Sequence, residues 1–141
     1  MRILYSTAAT ARGGRDGEVV SDDGVLDLDL AIPVELGGPG GDRTNPEQLF
    51  AAGYAACFSS TVQHLAGQRG LDVTGLEVTV KVGLAHERGV SDLVVTLVVA
   101  FPSSVDAGQV AELLEAAHQM CPYSRATRGN VEVTLQVASL V

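Results

Sequence analysis

Ten consecutive residues without a charge, Leu49 to Phe58, follow directly on a strong helix start, and few folds can absorb such a segment. Asn45 can cap the helix, Pro46 suits its first position, and Glu47 and Gln48 fall in the first turn, where negative charge and amide acceptors are favourable. Thr44 offers an alternative cap, forming a Thr-x-x-Glu box with Glu47. Polar residues return at Gln63, His64, Gln68 and Arg69, and Gly70 supplies the stop. A helix apolar nearly all round predicts a course through the middle of the molecule, with the rest of the chain wrapped about it.

The flanking segments read as strands. Residues 3–30 contain short extended stretches, with Asp22-Asp23-Gly24 as a tight turn between Glu18-Val19-Val20 and the alternating Val25 to Leu30, a small antiparallel meander. Gly13-Gly14-Arg15-Asp16-Gly17 is a second turn and places Arg15 on a loop. Residues Glu35 to Asp42 form a Gly-rich connector, which lacks the Gly-Lys-Ser/Thr ending of a phosphate cradle. Downstream, Leu76, Val78, Val80, Val82 and Leu84 alternate with polar residues, as in a strand with one face on a core. Leu93 to Phe101 is a Val-rich run suited to a more buried partner strand. A second helix opens at Ser104 or Asp106 and ends at Cys121-Pro122, because the residue before proline avoids helical geometry. Val131, Val133, Leu135 and Val137 mark a last strand. The length, close to that of one domain, and the absence of a break in composition predict one folding unit, residues 1–141.

Charge and composition narrow the function. The formal charge of −8, with nine Lys and Arg residues scattered along the chain, makes nucleic acid and anionic membranes poor partners. The first eight residues lack the apolar run of roughly seven or more that a signal peptide needs, and no stretch approaches the ~18 apolar residues of a membrane span, so a soluble, cytoplasmic protein is expected. In that compartment the two cysteines are not expected to form a permanent structural clasp. They are either inert fillers or redox groups. Cys57 lies in the dry helix, where an apolar wall suits a greasy substrate, and Cys121 sits at a helix end, where local movement would let a sulfur reach a partner. Either thiol alone is equally a small packed hydrophobe, Glu47 equally a first-turn residue, and Arg15 equally a solvated turn residue. His64, His86 and His118 lack short-range ligand spacing, so no metal site is expected.

Two segments carry a resemblance. Thr44-Asn-Pro-Glu-Gln-Leu-Phe-Ala-Ala-Gly-Tyr-Ala-Ala-Cys57-Phe and Cys121-Pro-Tyr-Ser-Arg-Ala-Thr-Arg-Gly-Asn130, supported by Thr10 to Gly17 and by Leu36 to Gly41, strongly resemble the organic hydroperoxide resistance proteins (Ohr) of the Ohr/OsmC superfamily. The likeness covers essentially the whole chain. It implies an intertwined homodimer of α+β protomers, with antiparallel sheets around a central apolar helix bearing Cys57 and active sites at the interface. It also implies a Cys-based peroxidase acting on organic and fatty-acid hydroperoxides. Cys57 matches the peroxidatic cysteine, Cys121 the resolving cysteine, Arg15 the arginine that favours the thiolate, and Glu47 the carboxylate that orients that arginine. The implied cycle passes through a Cys57 sulfenic acid and a Cys57–Cys121 disulfide. The implied reductant is an external dihydrolipoyl dithiol on lipoylated proteins, with no bound cofactor and no metal. The OsmC branch of the same superfamily also carries two cysteines, although Phe-Ala-Ala-Gly-Tyr before Cys57 and Cys-Pro-Tyr-Ser look more like Ohr. A redox sensor and a carrier of apolar ligands remain as other classes.

Overall fold

The computed structural model describes residues 1–139. They group into two compact units, Met1–Leu49 and a second from Phe50 onward. In the first, β1 (Ala9–Arg12), β2 (Glu18–Ser21) and β3 (Asp27–Asp29) form an antiparallel sheet in the order β1-β2-β3, the meander expected from the turn residues. β1 and β2 pair from Ala9 opposite Ser21 to Arg12 opposite Glu18, so the chain reverses through the Gly13–Gly17 turn. A side chain at Gly17 would put its Cβ 1.8 Å from the Arg12 carbonyl oxygen, so only glycine permits this close return. A single 3-10 turn, Gly14–Asp16, carries Arg15 at the tip.

After β3 the backbone of Leu30 and Ala31, both buried, lies beside Thr44: the Ala31 N–H donates to the Thr44 carbonyl at 3.0 Å and the Thr44 N–H to the Asp29 carbonyl at 3.1 Å. This fastens the start of α1 (Pro46–Gln68) to the small sheet. Of the two possible caps Asn45 is used, its Oδ1 accepting from the Gln48 N–H at 2.9 Å, while the Thr44 hydroxyl bonds the Gln48 side chain.

In the second unit, β4 (Glu77–Glu87) and β5 (Val90–Phe101) form a hairpin closed by Arg88-Gly89, both at positive φ as a two-residue hairpin turn requires. The chain then runs through α2 (Ala107–Met120) and α3 (Pro122–Thr127) to β6 (Glu132–Ser139). α2 starts at Asp106, whose side chain accepts from the Gln109 N–H while Gln109 reaches back, a complete capping box. The sheet order is β4-β5-β6, and β6 pairs parallel to β5, with Val94 opposite Glu132 and Val99 opposite Val137. The expectation of antiparallel sheets therefore fails at this one pairing, because a crossover through two helices can return a strand in the same direction as its neighbour.

The core of this unit joins Tyr54, Phe58, Val62 and Leu65 of α1, Val80 of β4, alternate residues Val95, Leu97 and Val99 of β5, and Val110, Leu113, Leu114 and Ala117 of α2. The uncharged run of α1 is not covered on every side: Ala52 and Ala56 form an exposed stripe. Nor is β5 buried on both faces, since Val94 on the side away from the core stays exposed.

Candidate active site

The two cysteines, 64 positions apart in sequence, meet in the second unit. Their sulfurs lie 3.7 Å apart, with the Cys121 thiol donating to Cys57. Both are free thiols, but they differ in access: Cys121 is 0% exposed while Cys57 is partly exposed at the edge of the apolar cluster. A disulfide needs sulfurs ~2.05 Å apart, so a shift of roughly 1.7 Å would join them.

The backbone around Cys121 explains how its sulfur is presented. Its N–H completes α2 by donating to the Ala117 carbonyl at 2.8 Å, and its carbonyl starts α3 by accepting from the Arg125 N–H at 2.9 Å. Cys121 itself is non-helical, with φ −58° and ψ 125°, because Pro122 follows; Pro122 in turn occupies the first position of α3, where a missing N–H costs nothing. The cysteine is thus a single-residue joint between two helices.

Burial is the main cause that pushes the Cys57 thiol above its ordinary pKa, and the neighbouring Cys121 adds to it, whereas the backbone N–H of Tyr123 pulls the other way.

In the first unit, Arg15 and Glu47 form a two-pronged pair: Nη1 donates to Oε2 at 2.8 Å and Nη2 to Oε1 at 2.5 Å. The hydrogen bond from Arg15 holds the Glu47 carboxyl below its usual range against an opposing effect of burial, and the same bond raises Arg15. Guanidinium geometry matches a carboxylate in this way, so the fork is fixed in direction and Arg15 stays charged. The turn residues and the α1 cap explain the meeting, since one places Arg15 at a tip and the other fixes the first turn of α1.

The OsmC-like protein family model matches residues 38–136. The organic hydroperoxide resistance protein of Xanthomonas axonopodis pv. citri is 49% identical over 138 residues, covering 97% of this chain and 96% of that one. Among solved structures, an organic hydroperoxide resistance protein from Legionella pneumophila superposes with a TM-score of 0.91 at 46% identity, covering 97% of this chain and 99% of the other. The chain belongs to the OsmC-like family, on its organic hydroperoxide resistance branch. A Vibrio cholerae protein, described as a putative organic hydroperoxide resistance protein with captopril bound in one of its active sites, is also similar, with a TM-score of 0.90, 43% identity, and coverage of 97% and 94%. The α+β architecture is accordingly the Ohr/OsmC fold.

Around the dithiol lie Tyr54, Ser124 and Tyr123, to which no local pattern assigns a role, together with His118. Tyr54, fully buried on α1, shares a hydrogen bond of 2.7 Å with Ser124, fully buried on α3. Ser124 in turn lies 2.9 Å from Nδ1 of His118 on α2. The Tyr123 ring packs on Tyr54, with centroids 5.6 Å apart, and on Phe50 at 6.4 Å. The available signal was a tyrosine inside an uncharged run, because a buried phenol usually has a polar partner.

Proposed function

We propose that this chain is a thiol-dependent peroxidase that reduces organic hydroperoxides to alcohols, with Cys57 as the attacking sulfur and Cys121 as the resolving one. The observation that carries the reading is an accessible thiol with a fully buried second thiol 3.7 Å behind it. The Cys57 thiolate attacks one peroxide oxygen and the O–O bond breaks. The alkoxide leaves as alcohol after taking a proton, and Cys57 becomes a sulfenic acid. Cys121 then attacks that sulfur, the S–S bond forms, the S–O bond breaks, and water departs. An external dithiol reduces the disulfide and is itself oxidised to a disulfide.

Arg15 is the cation assigned to favour the Cys57 thiolate and to bond the peroxide oxygens, and Glu47 is assigned to orient it; the bidentate pair between them supports the second assignment. Packing of Cys57 against the apolar cluster supports alkyl and fatty-acid hydroperoxides over hydrogen peroxide. The reductant is assigned as a dihydrolipoyl group on lipoylated proteins, and no bound cofactor enters the cycle because sulfur carries both electrons. The working form is a cytoplasmic homodimer with active sites at the interface. Exposed Ile3, Leu4 and Tyr5, apolar side chains that a partner would cover, support the dimer, and so do the several active sites of the Vibrio cholerae relative.

The test is stopped-flow reduction of tert-butyl hydroperoxide and of hydrogen peroxide by wild type and Cys57→Ser, with dihydrolipoamide as reductant. A marked preference for the organic peroxide that disappears in Cys57→Ser supports the reading. Equal inactivity of both proteins with every dithiol overturns it in favour of a carrier or a sensor.

A further inference from the structure

Three buried or half-buried polar side chains, one from each helix that meets at the dithiol, form a single hydrogen-bonded chain that the peroxidase cycle does not use. Tyr54 belongs to α1, three residues before Cys57; Ser124 to α3, three residues after Cys121; His118 to α2, three residues before Cys121. The Tyr54 hydroxyl and Ser124 Oγ are 2.7 Å apart, and Ser124 Oγ and His118 Nδ1 are 2.9 Å apart. A third tie, from Arg128 Nη2 to the His118 carbonyl at 2.6 Å, joins the segment after α3 to the last turn of α2.

We infer that the Tyr54–Ser124–His118 chain is a positioning device that sets the approach of the Cys121 sulfur to Cys57, and so governs disulfide closure rather than attack on peroxide. The reasoning rests on the peroxidase reading above and on geometry. Cys121 is a one-residue joint, and a joint alone leaves the angle between α2 and α3 free. The Ser124–His118 bond spans that joint from one helix to the other, and the Tyr54–Ser124 bond fastens the result to the helix that carries Cys57.

The chain also has a direction. Each hydroxyl has one proton to give, and each of Tyr54 and Ser124 is fully buried, so both protons need acceptors. The arrangement that satisfies both runs from Tyr54 to Ser124 and from Ser124 to a lone pair on His118 Nδ1. It requires the imidazole to be neutral. Burial, and then Arg128, hold His118 below its ordinary pKa, with Glu115 opposing, which agrees with that direction. Reversed, the chain would leave the Tyr54 proton without an acceptor among the described residues. Removing the central hydroxyl would strand a buried phenol and free the joint together.

Closure is a displacement at sulfur, sensitive to distance and alignment, whereas attack on peroxide involves only Cys57 and its surroundings. The test therefore separates the two steps. Wild type, Ser124→Ala, His118→Leu and His118→Asn are mixed with tert-butyl hydroperoxide in quench-flow. Thiol, dimedone-trapped sulfenic acid, disulfide and sulfinic acid at Cys57 are then counted by mass spectrometry. Ser124→Ala and His118→Leu are expected to form sulfenic acid at close to the wild-type rate, but to close the disulfide between about tenfold and 100-fold more slowly, the range for misplacing a reacting group by an ångström or so. Sulfinic acid under excess peroxide should rise in step. His118→Asn, whose Oδ1 can accept in place of Nδ1, should restore closure; His118 is only partly buried, so the Leu and Asn pair keeps the test available if Ser124→Ala does not fold. A merely structural role would lower the melting temperature without moving the ratio of disulfide to sulfinic acid. Wild-type closure matched by every variant overturns the inference alone. A wild type that forms no Cys57–Cys121 disulfide overturns the peroxidase reading and this inference with it.

Discussion

Gly53 and Gly67 stand in the same helix, and alanine at the two positions should have opposite consequences. A Cβ at Gly53 would lie 2.7 Å from the Tyr123 hydroxyl oxygen and 3.2 Å from its ring carbon Cζ, whereas one at Gly67 meets nothing within 4 Å. Relief at Gly53 requires the Tyr123 ring to move, and the ring is the partner of Phe50 and Tyr54. Two aromatic pairs at about 0.5–1.5 kcal/mol each put the loss at about 1–3 kcal/mol. The gain from replacing a helical glycine is about 1 kcal/mol. Gly53→Ala should therefore be neutral to about 2 kcal/mol destabilising in the wild-type background, yet about 1 kcal/mol stabilising once Tyr123→Ala has removed the ring. Gly67→Ala should stabilise by about 0.5–1 kcal/mol in either background. Urea unfolding of the four Gly53 and Tyr123 combinations at one protein concentration gives the coupling energy directly. A coupling near zero, with Gly53→Ala as stabilising beside Tyr123 as without it, would refute the packing described for Tyr123.

Two further predictions concern the charged pair and the thiol assigned as the resolving one. The folded-state pKa of Glu47 is depressed, first by the hydrogen bond from Arg15, so its contribution to stability is present above the ordinary carboxylate pKa and is lost as the pH falls through the folded value; Glu47→Gln should flatten the acid limb of a stability-versus-pH curve, and an unchanged limb would count against the pair. Cys121→Ser should complete one turnover and then accumulate Cys57 sulfinic acid under excess peroxide, seen as a gain of two oxygens by mass spectrometry; continued dithiol-dependent cycling would contradict the assignment of Cys121.

Much of the fold was legible from local patterns. The cap at Asn45, the alternation in β4, and the Asp106 start of α2 were all visible because each depends on neighbours within a few residues. α3 has no separate sign in the sequence, because Cys121-Pro122 reads as a stop although proline just as readily opens a helix. The parallel pairing of β6 leaves no trace in the sequence, because alternation of apolar and polar residues is the same in either strand direction. At the candidate site, the family resemblance pointed to Cys57, Cys121, Arg15 and Glu47, but each alone has an ordinary structural explanation. The 3.7 Å approach of the cysteines depends on how a helix joint at Cys121 packs against α1, which no local pattern encodes. The roles of Ser124 and Tyr54 are hidden for the same reason: a buried hydroxyl is recognised by its partner, here 70 positions away.

The dithiol mechanism is tested by peptide mapping, under non-reducing conditions, of protein treated with one equivalent of tert-butyl hydroperoxide. A Cys57–Cys121 disulfide within one chain is expected, formed with loss of both thiols and reversed by dihydrolipoamide. A Cys57 oxidised to sulfinic acid beside a still-reduced Cys121, or a disulfide joining two chains, would contradict it.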